Sequence, residues 1–162
     1  MIKGRSAQVI GGGAEHWVHI EQSPRRVRVV FGRESIADSK HVMLLREAKC
    51  LPVYYFPQGD VRVDRMAATE HRTHCPYKGE ASYWTVKVGN KVAENAAWSF
   101  LEPAPVCVAI RGYLALEWNK MDAWYEEDEE VFVHPRDPYK RVDVLQSSRH
   151  VRVVVAGKTV AE

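Results

Sequence analysis

Ser82-Tyr-Trp-Thr-Val-Lys-Val-Gly-Asn-Lys-Val-Ala-Glu94 decides the class of fold. Its first seven residues are rich in aromatic and β-branched side chains, which suit the pleated, half-buried surface of a strand. Gly89-Asn90 then interrupts, and glycine supplies the positive φ that a tight turn between strands requires. Val92-Ala-Glu94 resumes beyond it, so the segment predicts a β-hairpin. The same pattern returns on either side: an apolar residue, a Gly-centred turn, then a β-branched residue, Ala and an acid. It reads Val30-Phe-Gly-Arg-Glu-Ser-Ile-Ala-Asp38 near the start and Ala156-Gly-Lys-Thr-Val-Ala-Glu162 at the end. Val27-Arg-Val-Val30 and Val151-Arg-Val-Val154 lead into these two copies at an offset of 124 residues. The last copy is therefore expected to open a second repeat that the chain does not complete.

Further strands are predicted at Ile110–Trp118 and Val131–Val133, with a shorter one at Val142–Leu145. Pro57-Gln-Gly-Asp60 reads as a turn, since Pro fixes φ and Gly admits a positive one. One short helix is expected over Ser39–Ala48, with Met43, Leu44 and Leu45 as its apolar face. His134-Pro-Arg-Asp-Pro138 reads as a stiff connector, because neither proline can donate to a ladder. The fold class predicted is mainly β, a small domain of short antiparallel strands with little helix. Four segments are expected: a flexible lead-in over 1–23, the β domain over 24–130, a Pro-containing connector over 131–145, and the first hairpin of an incomplete repeat over 146–162.

The 162 residues suit one domain, and a hydrophobic content of 46% can bury a real core. No apolar run approaches the length of about 18 residues needed to span a membrane, and the first residues lack the apolar core of a signal peptide. Cys50, Cys75 and Cys107 are odd in number and widely spaced, which argues against a disulfide framework and fits a reducing cytoplasm. The net charge is +2, but Glu126–Glu130 is a block of five acids. With those five set aside, 16 of the 21 acids remain against 23 bases. The bases are scattered rather than gathered in a stripe, and no recognition motif accompanies them, so specific nucleic-acid binding is not expected.

His71-Arg-Thr-His-Cys-Pro-Tyr-Lys-Gly-Glu-Ala-Ser-Tyr-Trp84 gathers two histidines, a cysteine, a lysine and aromatics around Pro76 and Gly79. Loops and turns on a rigid scaffold carry function disproportionately. Cys75, with His71, His74 and Lys78 close by, is either an activated thiol or a small buried hydrophobe at a turn. A metal site is not expected, since no second pair of ligands at short spacing accompanies His71, His74 and Cys75. The acid block is a solvated strand edge, a site for a cation or basic partner, or the source of a general acid or base, with Glu126 or Glu127 the candidates. Trp84, Trp98, Trp118 and Trp124 fall within a short span together with several tyrosines, enough to line a pocket as well as a core. Gly11-Gly-Gly13 lacks the Lys-Ser/Thr of a phosphate loop, and no nucleophile elbow occurs.

Several of these words, in this order, resemble a known family. Val53-Tyr-Tyr-Phe-Pro57, His74-Cys-Pro-Tyr-Lys-Gly79, Ala81-Ser-Tyr-Trp84, Asn95-Ala-Ala-Trp98 and Met121-Asp-Ala-Trp-Tyr-Glu-Glu-Asp128 look like the family called domain of unknown function 427 (DUF427). The resemblance runs from Pro24 to Asp128, and His134–Asp143 is similar to the connector of members with two copies. It implies a β-tent fold of the Mss4-like kind. Many such relatives hold zinc through two Cys-x-x-Cys pairs; this chain has neither pair, so no zinc or other cofactor is carried over. Nor does a Gly-Ser followed by paired metal-binding aspartates occur, so nucleotidyl transfer is not expected.

The reading that joins these observations is a small-molecule pocket with His74, Cys75, Tyr77 and Lys78 as its floor and Tyr83, Trp84, Trp98 and Trp124 as its walls. Lys78 would hold an anionic group. An enzyme using Cys75 or Glu126, and a module that pairs as a homodimer, are the alternatives.

Overall fold

In the computed structural model, described over residues 8–12, 16–139 and 142–162, antiparallel strands form three sheets. The largest has eight strands. From edge to edge these are β1 (Gln8–Gly12), β2 (His16–Gln22), β5 (Met43–Glu47), β6 (Val53–Pro57), β10 (Tyr113–Leu116), β9 (Lys91–Ser99), β8 (Gly79–Val88) and β7 (Met66–Cys75). A second sheet runs β12 (Glu129–Glu130), β11 (Ala123–Glu126), β3 (Val27–Phe31), β4 (Glu34–Ser39). The third is a hairpin of β13 (Val153–Val155) and β14 (Lys158–Ala161). The segment Ser82–Glu94 is the β8–β9 hairpin, closed by Val88 opposite Lys91, with Gly89 at a φ of 55°.

β6 shows how the layers are filled. Side chains alternate across a strand, and Tyr54 and Phe56 enter the layer between the two large sheets with Val27, Val29, Phe31 and Trp124. Tyr55 enters the opposite face with Val18, Ile20 and Leu45. That face is covered by a 3-10 segment, Pro105–Ile110, whose Cys107 and Ile110 are fully buried. A strand buried on both sides needs an unbroken apolar run, as Val53-Tyr-Tyr-Phe provides.

Several expectations change. Ser39–Ala48 holds a strand, β5, and no helix: Leu44 and Leu45 enter opposite clusters, and Met43 faces Tyr55 across the ladder. Three consecutive apolar residues fit either period, and strand pairing decides between them. The lead-in expected over 1–23 contributes β1 and β2, and Val18 and Ile20 are buried; residues 1–7 and 13–15 of it lie outside the described residues, as do 140 and 141 of the connector. The strand at Ile110–Trp118 shrinks to β10, and neither Val131–Val133 nor Val142–Leu145 is a strand. Val131 is buried, whereas Phe132, Val133, Val142 and Val144 are exposed. No helix among the described residues is long and apolar enough to cross a membrane.

The outer two copies of the recurring pattern fold alike. β3–β4 pairs Val29 with Ala37, shifts register, then pairs Val30 with Ser35 and Phe31 with Glu34. β13–β14 pairs Val153 with Ala161, shifts at the same place, then pairs Val154 with Thr159 and Val155 with Lys158. Both turns hold two residues at positive φ, Gly32-Arg33 and Ala156-Gly157, the signature of a type I′ turn. The difference is burial. Val27, Val29, Phe31 and Ile36 are at most 1% exposed, while Val151, Val153, Val155 and Val160 are 46–64% exposed.

Two predictions follow from the first turn. A Cβ on Gly32 would lie 2.7 Å from the Cβ of the buried Val88, at a φ of +60°. Gly32→Ala should cost about 2–3 kcal/mol, whereas Gly89→Ala, with nothing nearby, should cost only the left-handed penalty of about 1–2 kcal/mol; thermal melts that rank them equally would refute the clash. Asp122 accepts the Gly32 N–H at 2.8 Å and ion-pairs with Lys91. Partial burial pushes its carboxyl up, but the bonds from Lys91 and Gly32 outweigh this and hold it below its ordinary value. A depressed carboxylate stabilises the fold above its unfolded pKa of about 3.9 and loses that contribution as pH falls through the folded value. Asp122→Asn should therefore be less stable than the parent at neutral pH, with the two melting temperatures converging as pH drops below about 3.9.

Candidate functional site

The stretch from His71 to Trp84 is the turn end of the long β7–β8 hairpin, and it does not gather its side chains in one place. His74 sits opposite Glu80 on the edge strand and is exposed. Tyr83 turns towards the Tyr55 face, its hydroxyl 2.9 Å from Thr73 Oγ1 and its ring against His71. Trp84, the next residue, points to the opposite face by strand alternation. There it lines a cavity of about 100 Å³ with Met66, Tyr113 and Leu114. The eight residues expected around one pocket are thus divided between two faces of the sheet.

Cys75, Tyr77 and Lys78 do come together, with partners distant in sequence. The chain turns tightly after β7, with Lys78 N–H donating to Cys75 C=O at 3.3 Å. Tyr77 stacks on His16 at 3.6 Å between ring centroids. Lys78 ion-pairs with Glu47, whose Oε1 is 3.2 Å from His16 Nε2, and its ammonium lies beside the Cys75 thiol. Burial would lower the Lys78 pKa, but Glu47 holds it above the ordinary value. Lys78 is therefore a charged group whose ion-pair partner is Glu47, a residue distant in sequence. Cys107 lies beneath, its thiol 3.8 Å from Tyr77 C=O and pushed up in pKa by burial. Among the described residues no group of three His, Cys, Asp or Glu could hold a metal ion.

Trp98 and Trp124 share a second place, from which Trp84 is absent. A cavity of about 160 Å³ opens between β6, the β10–β11 connection and the connector after β12. Trp98, Trp118 and Trp124 line it together with Glu117 and His134. Trp118 and Trp124 stack at 4.2 Å with an interplanar angle of 9°. Trp124 Nε1 donates to Trp118 C=O at 3.2 Å, and Trp98 Nε1 donates to the Tyr55 hydroxyl at 3.3 Å. Trp124 is buried, whereas Trp98 and Trp118 are half-buried. Their free surface therefore supplies most of the aromatic wall.

Glu126 belongs to neither place. It is 1% exposed, accepts the Tyr54 hydroxyl at 2.8 Å, and ion-pairs with Arg25. Burial first, then Glu126, keeps the Tyr54 phenol well above its usual pKa, so it remains a donor. Both carboxylate oxygens of Glu126 thus already accept a hydrogen bond within the fold. The rest of the acid block anchors the following chain. Glu127 accepts from Ser147 Oγ at 2.9 Å and pairs with Arg149. Asp128 and Glu129 each take a backbone N–H at 2.6 Å, from Ser148 and Gln146. None of the three sequence readings of this block foresaw that use, because the partners are backbone and side-chain groups of a later loop with no sequence signal.

The molecule is thus an antiparallel β domain with an aromatic cavity and a separate thiol–lysine cluster. A family model matches residues 19–127, and the chain belongs to that family, the domain of unknown function DUF427. No curated protein matches the chain.

Proposed function

We propose that this chain is a small-molecule-binding domain whose site is the Trp98–Trp118–Trp124 cavity. One observation carries the reading: two half-buried indoles border an open cavity of about 160 Å³ although close packing would normally fill such space. An engineered apolar cavity of about 150 Å³ accepts a benzene-sized guest, so the ligand part held here is a single ring or a group of that size. The test is a titration with single-ring fragments, followed by the indole N–H resonances of Trp98 and Trp118. Both should shift, and Trp98→Ala should abolish binding while Trp84→Phe, at a separate cavity, leaves it intact. Fragments that perturb Trp84 instead would move the site.

A second reading rests on the Cys75 thiol beside the Lys78 ammonium. Reactive cysteines sit in electropositive, partly exposed surroundings. Cys75 should then react with iodoacetamide faster than Cys50, even though Cys50 is more exposed. Labelling that simply follows exposure, Cys50 before Cys75 before Cys107, would exclude it.

We infer a third property from the hairpin β13–β14: it repeats the β3–β4 unit and is a surface for self-association. Its register and turn match β3–β4, and the valines that match buried core positions are exposed. Removing residues 151–162, all exposed, should leave the melting temperature within a few degrees of the parent, since surface changes away from packed features cost little. It should also abolish any dimer seen by light scattering at high concentration; a dimer that survives the deletion would refute the assignment. The antiparallel sheets are in keeping with a β-tent of the Mss4-like kind, which we also propose.

A further inference from the structure

The aromatic cavity has a charge preference as well as a shape. Its lining includes no Lys or Arg, and its one charged residue is Glu117. Glu117 is half-buried, and its carboxylate has no hydrogen bond or ion pair among the described residues. An unpaired carboxylate beside apolar walls is a standing demand for a positive partner. The other polar groups point the same way. Trp98 and Trp124 spend their N–H donors on Tyr55 and on Trp118 C=O. They therefore have no donor left for an anionic ligand, and present indole surface, whose π-electron face attracts cations. The carbonyl of Pro135 lies 2.6 Å from His134 Nδ1, so Nδ1 carries the proton and Nε2 of a neutral ring is an acceptor. Positive charges are absent from the wall, and acceptors and aromatic surface dominate it, with the Trp118 indole N–H and the Asn119 amide as its remaining side-chain donors.

We propose that this cavity selects a small organic cation, an amine or quaternary ammonium head group, over neutral or anionic ligands of the same shape. The inference rests on the cavity being the binding site. The cation sits against Trp98 and Trp118, with Glu117 compensating its charge; Trp124, held between Trp118 and Phe56, backs the wall. This differs from the anion site that Lys78 suggested in the sequence, because Lys78 is not part of this cavity's lining and is paired with Glu47.

The test uses the full chain and two probes of nearly the same shape: choline, and neohexyl alcohol, in which a quaternary carbon replaces the nitrogen. Binding is followed through the indole N–H resonances of Trp98 and Trp118. Choline should bind at least about tenfold more tightly than its carbon isostere, the ratio expected of a partly desolvated cation–π contact. Glu117→Gln, which breaks no contact in the fold, should weaken choline several-fold and leave neohexyl alcohol unchanged. If neohexyl alcohol shifts the same resonances with equal or higher affinity, the cation preference is overturned and the cavity stands as a neutral site. If neither probe shifts them at millimolar concentration, the binding site itself is refuted.

Discussion

Glu126→Ala is expected to destabilise the fold by about 3–5 kcal/mol, the usual cost of removing one partner from a buried ion pair. Few single substitutions in this chain should cost more. The alanine would leave the Tyr54 hydroxyl without its acceptor in the layer between the sheets, and the Arg25 guanidinium with Asp143 alone. Glu126→Gln keeps an acceptor for Tyr54 and should cost less. The informative variant is the double replacement Arg25→Met with Glu126→Leu. Apolar replacement of both partners removes the unpaired charges together, and such changes are often neutral or stabilising. Urea unfolding of the parent, Arg25→Met, Glu126→Leu and the double mutant would show large single-mutant losses mostly recovered in the double mutant. Losses that simply add would mean that Arg25 and Glu126 act independently.

The same residue shows where sequence reading reaches its limit. The acid block was conspicuous, but a run of charge gives no sign of being buried; Glu126 and Glu127 are buried because Arg25, Tyr54, Ser147 and Arg149 reach them from elsewhere in the chain. The hairpins were legible, since turn chemistry and alternation are local, and the β8–β9 and β3–β4 turns fall where glycine stands. β5 was not legible, because Met43-Leu-Leu45 carries no period of its own and takes its conformation from β2 and β6 on either side. The candidate site split for a related reason. Tyr83 and Trp84 are adjacent in sequence, and adjacency in a strand places side chains on opposite faces. Tryptophans far apart in sequence met instead: Trp98 and Trp124 share a cavity with Trp118, whose place in the cluster was visible only as one aromatic among several. Glu117 and Glu47 had no local pattern to mark them.

Trp118 and Trp124 allow fold and binding to be separated within one stacked pair. Trp124 is 4% exposed, between Trp118 at 4.2 Å and Phe56 at 6.1 Å. Trp124→Ala opens a void at the meeting point of β11 with the inter-sheet core, and large aromatic deletions of that kind cost about 3–5 kcal/mol. Trp118 is half-buried and lies on a short 3-10 turn, Trp118–Lys120, outside either sheet. Trp118→Ala forfeits one stacking contact and part of its buried area, about 1–2 kcal/mol, but it removes a wall of the cavity. The expected pattern is therefore crossed. Trp124→Ala should melt far lower than Trp118→Ala, while Trp118→Ala should stay folded at room temperature and lose ligand binding. Trp118→Phe, which keeps a ring at the site, should recover part of the binding without changing stability by more than the alanine did. If Trp118→Ala binds single-ring fragments as well as the parent does, the stacked pair is core packing alone and the cavity beside it is not a site.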